Sequence, residues 1–260
     1  MALSNKQKQE IKELLSLKIE EKLKSYGRET TSMPFLARLI QDAEKIAAYS
    51  FIHSMATTLG MSIYEEVSLI LASETAAECF THYGVGGVIS DSQQTVIANI
   101  ISELRNRERV ADIQSEKELV LAAPTQGAGF RKSGNIADFY MRRNGREYYF
   151  EIKPPKPNID VFEKSKTKLL EWVARKRMPV RVYLAFPYNP YHPKPYSRFT
   201  EVDMMDPPND FLVGSEYWDF IGGKGSFTEL LKTFDEVGKA FKAQLDQKFE
   251  QIAREKIDFY

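Results

Sequence analysis

The dipeptide Asn144-Gly145 constrains this chain more than any other feature. It tolerates positive φ at both central positions of a type I′ turn, and it is flanked by two β-rich runs, Asp138–Met141 and Glu147–Ile152. The pattern predicts a two-residue hairpin. In such a hairpin Asp138 and Glu151 lie nearly opposite each other, and Glu151 and Lys153, two apart, project from one face of the second strand. Two carboxylates and an amine then meet at one end of a sheet.

Carboxylates held that close repel unless a cation sits between them. Oxygen ligands of this kind suit a hard divalent ion such as magnesium, which takes one or two carboxylates, several waters and a phosphate. A lysine beside it can orient or deprotonate a water, or stabilise charge on a scissile phosphate. The reaction class that uses this set is metal-assisted phosphodiester hydrolysis.

Asp138, twelve intervening residues and Glu151-Ile152-Lys153 resemble the PD-(D/E)xK nuclease signature, with Ala137 where that name has proline. Proline ligates nothing, so the departure leaves the chemistry intact. Three longer strings are more specific: Phe150 to Asn158, then Tyr188-Asn189-Pro190-Tyr191, then Val213 to Gly223. Together, over roughly residues 30 to 245, they resemble type II restriction endonucleases of the TdeIII and MjaII kind. The resemblance implies a mixed α/β (α+β) fold, in which helices flank a central mixed sheet and further helices lie at both termini. It implies cleavage of double-stranded DNA at short palindromes of the form GGNCC, with magnesium as cofactor and manganese as a substitute. Asp138, Glu151 and Ile152 would form the metal set, with Lys153 positioning or activating the water. A further glutamate on a helix packed against the sheet is usual in such nucleases. Glu65, shortly after Gly60, and Glu103 are the two candidates. A palindromic target implies a homodimer, since two identical half-sites are matched by two related subunits, and a companion methyltransferase acts separately.

The 260 residues are ample for a buried core, and the chain has no net charge. The charge is unevenly spread. Arg131 to Arg181 carries 14 Lys and Arg against 6 Asp and Glu, whereas Glu201 to the end carries 7 against 13. A basic centre on a neutral chain suits a localised phosphate-binding face. The lone Cys79 excludes an internal disulfide, and His53, His82 and His192 form no metal-spaced pair. No signal peptide or membrane span is legible, so a cytoplasmic location is expected.

Residues 1–110 read as a helical N-terminal region, 111–200 as the catalytic core and 201–260 as a helical C-terminal region, all continuous. Residues 5 to 26 form a first amphipathic helix. A second, after Pro34, is expected to bury Phe35, Leu36, Leu39, Ile40, Ala43 and Ile46. Ser62-Ile63-Tyr64-Glu65 reads as a capping box opening a helix to about Thr81, which gives Glu65 a structural task as well. The first strand is expected at Glu118–Ala122 and a buried one at Val180–Phe186, giving the β-β-β-α-β order of the resembled superfamily.

Contacts to DNA are expected from three places. The glycine-marked loop 124–134 delivers Arg131 and Lys132 just before the hairpin. Lys156 and Asn158 follow it, with Asn158 capping a helix over 159–176 that carries Lys164 and Lys168. The proline-stiffened segment 188–198 offers Asn189, Tyr191, His192, Lys194 and Arg198, residue types that read base edges. Two other readings remain open from the residues: a repair or junction nuclease on the same core, and a DNA-binding module whose carboxylates merely cap strand ends.

Overall fold

The computed structural model describes residues 3–26, 34–125, 135–197 and 202–254. The helices among them are α1 (Asn5–Ser25), α2 (Pro34–Ile40), α3 (Ala43–Thr58), α4 (Tyr64–Ala72), α5 (Asp91–Arg105), α6 (Ile113–Ala122), α7 (Ile159–Lys176), α8 (Ser215–Gly222) and α9 (Ser226–Arg254). The strands are β1 (Glu78–Gly84), β2 (Ile136–Arg143), β3 (Arg146–Ile152), β4 (Arg181–Phe186) and β5 (Phe211–Val213). The chain divides into two compact units, Glu65–Phe227 and Leu3–Tyr64 with the chain from Thr228 onward.

In the Glu65–Phe227 unit the strands form one mixed sheet whose spatial order follows the sequence. β1, β2 and β3 pair antiparallel, while β3–β4 and β4–β5 are parallel. Asn144 and Gly145 have φ of 52° and 72°, the doubly positive pair that the hairpin turn demands. The parallel join of β3 to β4 needs a crossover, and α7 makes it. Asn158 caps that helix by accepting from the Val161 N–H. Phe162, Leu169, Trp172 and Val173, the residues whose spacing predicts a buried face, are all fully covered in a core shared with α5 and α6. On the other face Phe150 meets Tyr183, Tyr217 and Phe220.

The strand order β-β-β-α-β is present, but its first strand is not Glu118–Ala122. That stretch lies in α6, because Asp112 accepts from the Gln114 and Ser115 N–H groups and so caps a helix there. β1 instead comes from Glu78–Gly84, part of which the helical pattern after Ser62 had claimed. Nor does Ser62 open a helix: a π-helical segment, Leu59–Ile63, leads directly from α3 into α4. A short fifth strand, β5, arises inside the segment that includes Trp218. The Trp218 indole N–H donates to the Pro187 carbonyl at 2.7 Å.

In the other unit, Tyr26, Phe51, Phe249 and Ile252 pack together, the Phe51 ring edge-on to both aromatic neighbours. Ile46 is buried as expected, but Phe35 and Leu39 are 84% and 82% exposed. Gln41, in a left-handed conformation with φ of 55°, interrupts the expected helix and breaks its apolar stripe into two. Toward the C-terminus the helical region includes one long helix, α9.

A fully buried ionic cluster holds α6, α7 and the approach to β5. The Lys166 ammonium lies 2.6 Å from Glu116 Oε2 and 2.5 Å from Asp210 Oδ2, and none of the three side chains is exposed. Asp210 also accepts from the Asp206 N–H. Removing the lysine would leave two carboxylates buried with nothing between them. Lys166→Met should therefore cost about 3–5 kcal/mol, measured by urea unfolding; a loss under about 1 kcal/mol would refute the cluster's structural role.

Candidate active site

The turn fixes the register, and the register assembles the site. Phe139 pairs with Phe150, so one step further from the turn Asp138 faces Glu151. Thr81 and Tyr83 pair with Phe139 and Ala137, which sets His82 opposite Asp138. Glu151 pairs on its other side with Leu184. His82, Asp138 and Glu151 thus lie in a row across three strands.

Asp138 Oδ2 accepts from the Ile152 N–H at 2.8 Å, which pins its carboxylate, and stands 3.3 Å from Lys153 Nζ. The same ammonium lies 2.6 Å from Glu151 Oε1 and 3.2 Å from the Ile152 carbonyl oxygen. The second oxygen of Glu151 is met by the Lys168 ammonium, which also stands 5.4 Å from the centre of the Trp172 ring. Burial alone would lower the pKa of Lys153, but attraction to Glu151 and Asp138 outweighs it and holds the ammonium above the ordinary lysine value.

Glu65, at the start of α4, is 7% exposed and belongs to the same charge cluster. Burial first, and then repulsion from Asp138, push its carboxyl up to about 7, against the opposing pull of His82 and Lys153. Its Oε2 is buried with no donor aligned on it for a hydrogen bond, although His82 Nε2 stands 3.2 Å away. Glu103 lies elsewhere. It is paired with Arg109 at 2.6 Å beyond the end of α5 and takes no part in the cluster.

Among the described residues no group of three or more His, Cys, Asp or Glu forms a ready-made metal cage. The donor set nevertheless fits a hard divalent ion that keeps most of its waters. Asp138, Glu151 and the Ile152 carbonyl, the only ligand atom an isoleucine can offer, all converge on one cationic point, now held by Lys153 Nζ. The orphaned Glu65 Oε2 adds a further hard oxygen beside them.

The expected DNA contacts fall into three groups. Arg131, Lys132 and Arg198 lie outside the described residues. Lys164, His192 and Lys194 are exposed, as is Lys156, whose ammonium sits 5.4 Å over the Tyr191 ring. Asn158 and Asn189 have structural work. The first caps α7, and the second holds its loop by donating to the Lys194 carbonyl and accepting from the Tyr191 N–H. Sequence reasoning missed His82 altogether, since only the pairing of β1 reveals it. Lys168 was read as facing DNA, yet it turns onto Glu151.

A mixed sheet with a crossover helix, ending in an Asp, a Glu and a Lys on adjacent strands, has the architecture of a restriction-endonuclease-like nuclease. The chain matches the family described as type II restriction endonuclease, HinfI, over residues 3–238. It belongs to that family, and is thereby a type II site-specific deoxyribonuclease. It is 29% identical to the type II restriction enzyme HgiEI of Herpetosiphon aurantiacus over 241 residues, covering 90% of this chain and 87% of that enzyme. HgiBI of the same organism is 28% identical over 87% of this chain and 85% of its own. The type II restriction enzyme MjaII of Methanocaldococcus jannaschii is 24% identical over 77% of this chain and 56% of its own. No solved structure matches. No helix among the described residues is long and apolar enough to cross a membrane.

The raised value of Glu65 has a measurable sign. Between about 4.5 and about 7 the folded protein keeps this carboxyl protonated while the unfolded chain ionises it, so folding stability falls as pH rises through that window. Glu65→Gln removes the effect. In metal-free buffer the variant should match wild type near pH 4.5 and exceed it by up to about 3 kcal/mol near pH 8. Urea unfolding at the two pH values checks this, and a difference that does not grow with pH contradicts it.

Proposed function

We propose that the protein is a magnesium-dependent, homodimeric restriction endonuclease that cuts duplex DNA at a short palindrome of the form GGNCC. The observation that carries the reading is the convergence of Asp138, Glu151 and the Ile152 carbonyl on one cationic point. Asp138, Glu151 and Ile152 are the residues that would hold the ion. When bound, magnesium, or manganese in its place, supplies a Lewis acid beside the scissile phosphate.

The chain's own groups divide the remaining work. Lys153 keeps its proton, because the two carboxylates hold its pKa up. It therefore acts as a fixed positive charge that orients the attacking water and stabilises the phosphate's developing charge, rather than as a base. Glu65, with a value of about 7, is balanced to accept a proton near neutral pH. Lys168 meets the second oxygen of Glu151 and holds that carboxylate turned inward. Lys156 and Lys164, with Arg131 and Lys132, would contact the backbone. Tyr191, His192, Lys194 and Arg198 would face the bases, on a loop whose shape Asn189 maintains. The GGNCC specificity and the homodimer rest on the resemblance and on the symmetry of a palindrome. A companion methyltransferase would protect the same sites in the cytoplasm.

The test is to incubate plasmid or phage DNA with the purified protein, with magnesium or with EDTA, and to sequence the fragment ends. Discrete magnesium-dependent ends sharing GGNCC are expected. Asp138→Ala and Lys153→Ala should abolish cleavage while DNA binding in calcium stays within a few-fold of wild type. A fully active Asp138→Ala protein would sink the assignment.

A further inference from the structure

β1 departs from the alternation of a regular strand at one residue. Side chains two apart share a face, yet Phe80 and Tyr83, three apart, both stack on Tyr140, at 6.3 Å and 4.0 Å between ring centres. Between them His82 has φ of 49°, the left-handed region, which is uncommon for any residue but glycine and costs about 1–2 kcal/mol. Strain of this kind persists where the surrounding structure enforces it, and such residues cluster at functional sites. Here the rings of Tyr83 and Tyr140 are stacked next to it. The consequence is local: His82 sits in the row of Asp138 and Glu151, and its Nε2 reaches 3.2 Å from the buried Glu65 Oε2 while the rest of its side chain stays 66% exposed. Glu65 is otherwise close enough to Asp138, Lys153 and Glu151 for their charges to act on it, and no donor is aligned on that oxygen.

We propose that His82 is a positioning residue of the active site, holding the Glu65 carboxylate turned toward Asp138 and Lys153 from the solvent side. This rests on the site assigned above. A group that orients a catalytic ligand typically contributes about 10- to 100-fold to activity. The inference separates two functions of one residue, a backbone that must be left-handed and an imidazole that must reach Glu65. Glycine keeps the first and deletes the second, because it enters positive φ without cost.

The experiment compares wild type, His82→Gly, His82→Gln, Glu65→Gln, the Glu65→Gln/His82→Gly double variant and Asp138→Ala, reading melting temperature, DNA binding in calcium, and kcat and KM in magnesium. His82→Gly should melt at or above the wild-type temperature and bind uncut DNA as wild type does, yet lose about 10- to 100-fold in kcat with KM unchanged. His82→Gln, whose amide nitrogen reaches about as far as Nε2, should recover part of that loss. In the Glu65→Gln background the glycine should cost less than about twofold further, because the histidine acts through Glu65. Wild-type kcat in His82→Gly overturns the proposal. So does a loss confined to DNA binding, which would make His82 a DNA contact, and so does full additivity with Glu65→Gln. If Asp138→Ala cleaves as wild type does, the site assignment itself falls and this proposal with it; if Asp138→Ala is inactive and His82→Gly is not, only the role of His82 falls.

Discussion

Carboxylates half-buried at one end of a sheet must be balanced by positive charge, and the local structure around this site is arranged to supply it. At about 4 Å two like charges repel by about 4 kcal/mol at the effective dielectric of a protein surface. Lys153 stands between Asp138 and Glu151, and Lys168 closes the far oxygen of Glu151. Both lysines are delivered by elements that the hairpin register positions: Lys153 by the end of β3, Lys168 by the crossover helix that β3 leads into. No lysine closes on Glu65, and burial first, then repulsion from Asp138, raise its pKa. The same cationic point that stabilises the resting site is the point a divalent ion would take over. A divalent ion held by those oxygens would share with Lys153 the task of balancing the two carboxylates.

The hairpin and its acid-acid-lysine end were legible because they depend on local rules. A positive-φ dipeptide sets the turn, a two-residue period sets the faces, and twelve residues between Asp138 and Glu151 set the distance. α7 was equally plain, since Asn158 caps it and Phe162, Leu169, Trp172 and Val173 recur at helical spacing. Glu65 was found only as one of two candidates. Its approach to the site rests on contacts between α4 and β1, such as Cys79 with the Leu69 carbonyl and His82 with Glu65, that no local pattern encodes.

β1 itself was hidden for a related reason. It is an edge strand, only partly buried, and His82 breaks its alternation, so the periodicity that identifies strands is absent. Once β1 was missed, the neighbour of Asp138 was missed with it. The opposite error at Glu118–Ala122 has the same root. One valine and two leucines in a short apolar run suit a strand or a helix equally, and the decision fell to Asp112, a cap outside the run. The contact of Lys168 with Glu151 is not legible in the sequence, because a lysine stripe on a helix says nothing about what lies opposite one of its members.

The separation of the site's parts along the chain also orders their arrival. A two-residue hairpin closes in about 1–10 μs, so Asp138, Glu151 and Lys153 can meet as soon as residues 136–153 are free to pair. β4 and β5 must wait for α7 to pack, and β1 brings His82 across more than fifty residues of intervening chain, the slow class of contact. The newborn sheet therefore holds its two acids and its lysine before Glu65 and His82 reach them, and the third acid arrives with the last, long-range step of assembly. With Glu65 and His82 in the roles proposed for them, nuclease competence would be coupled to the completion of folding, and a half-folded chain would stay chemically quiet.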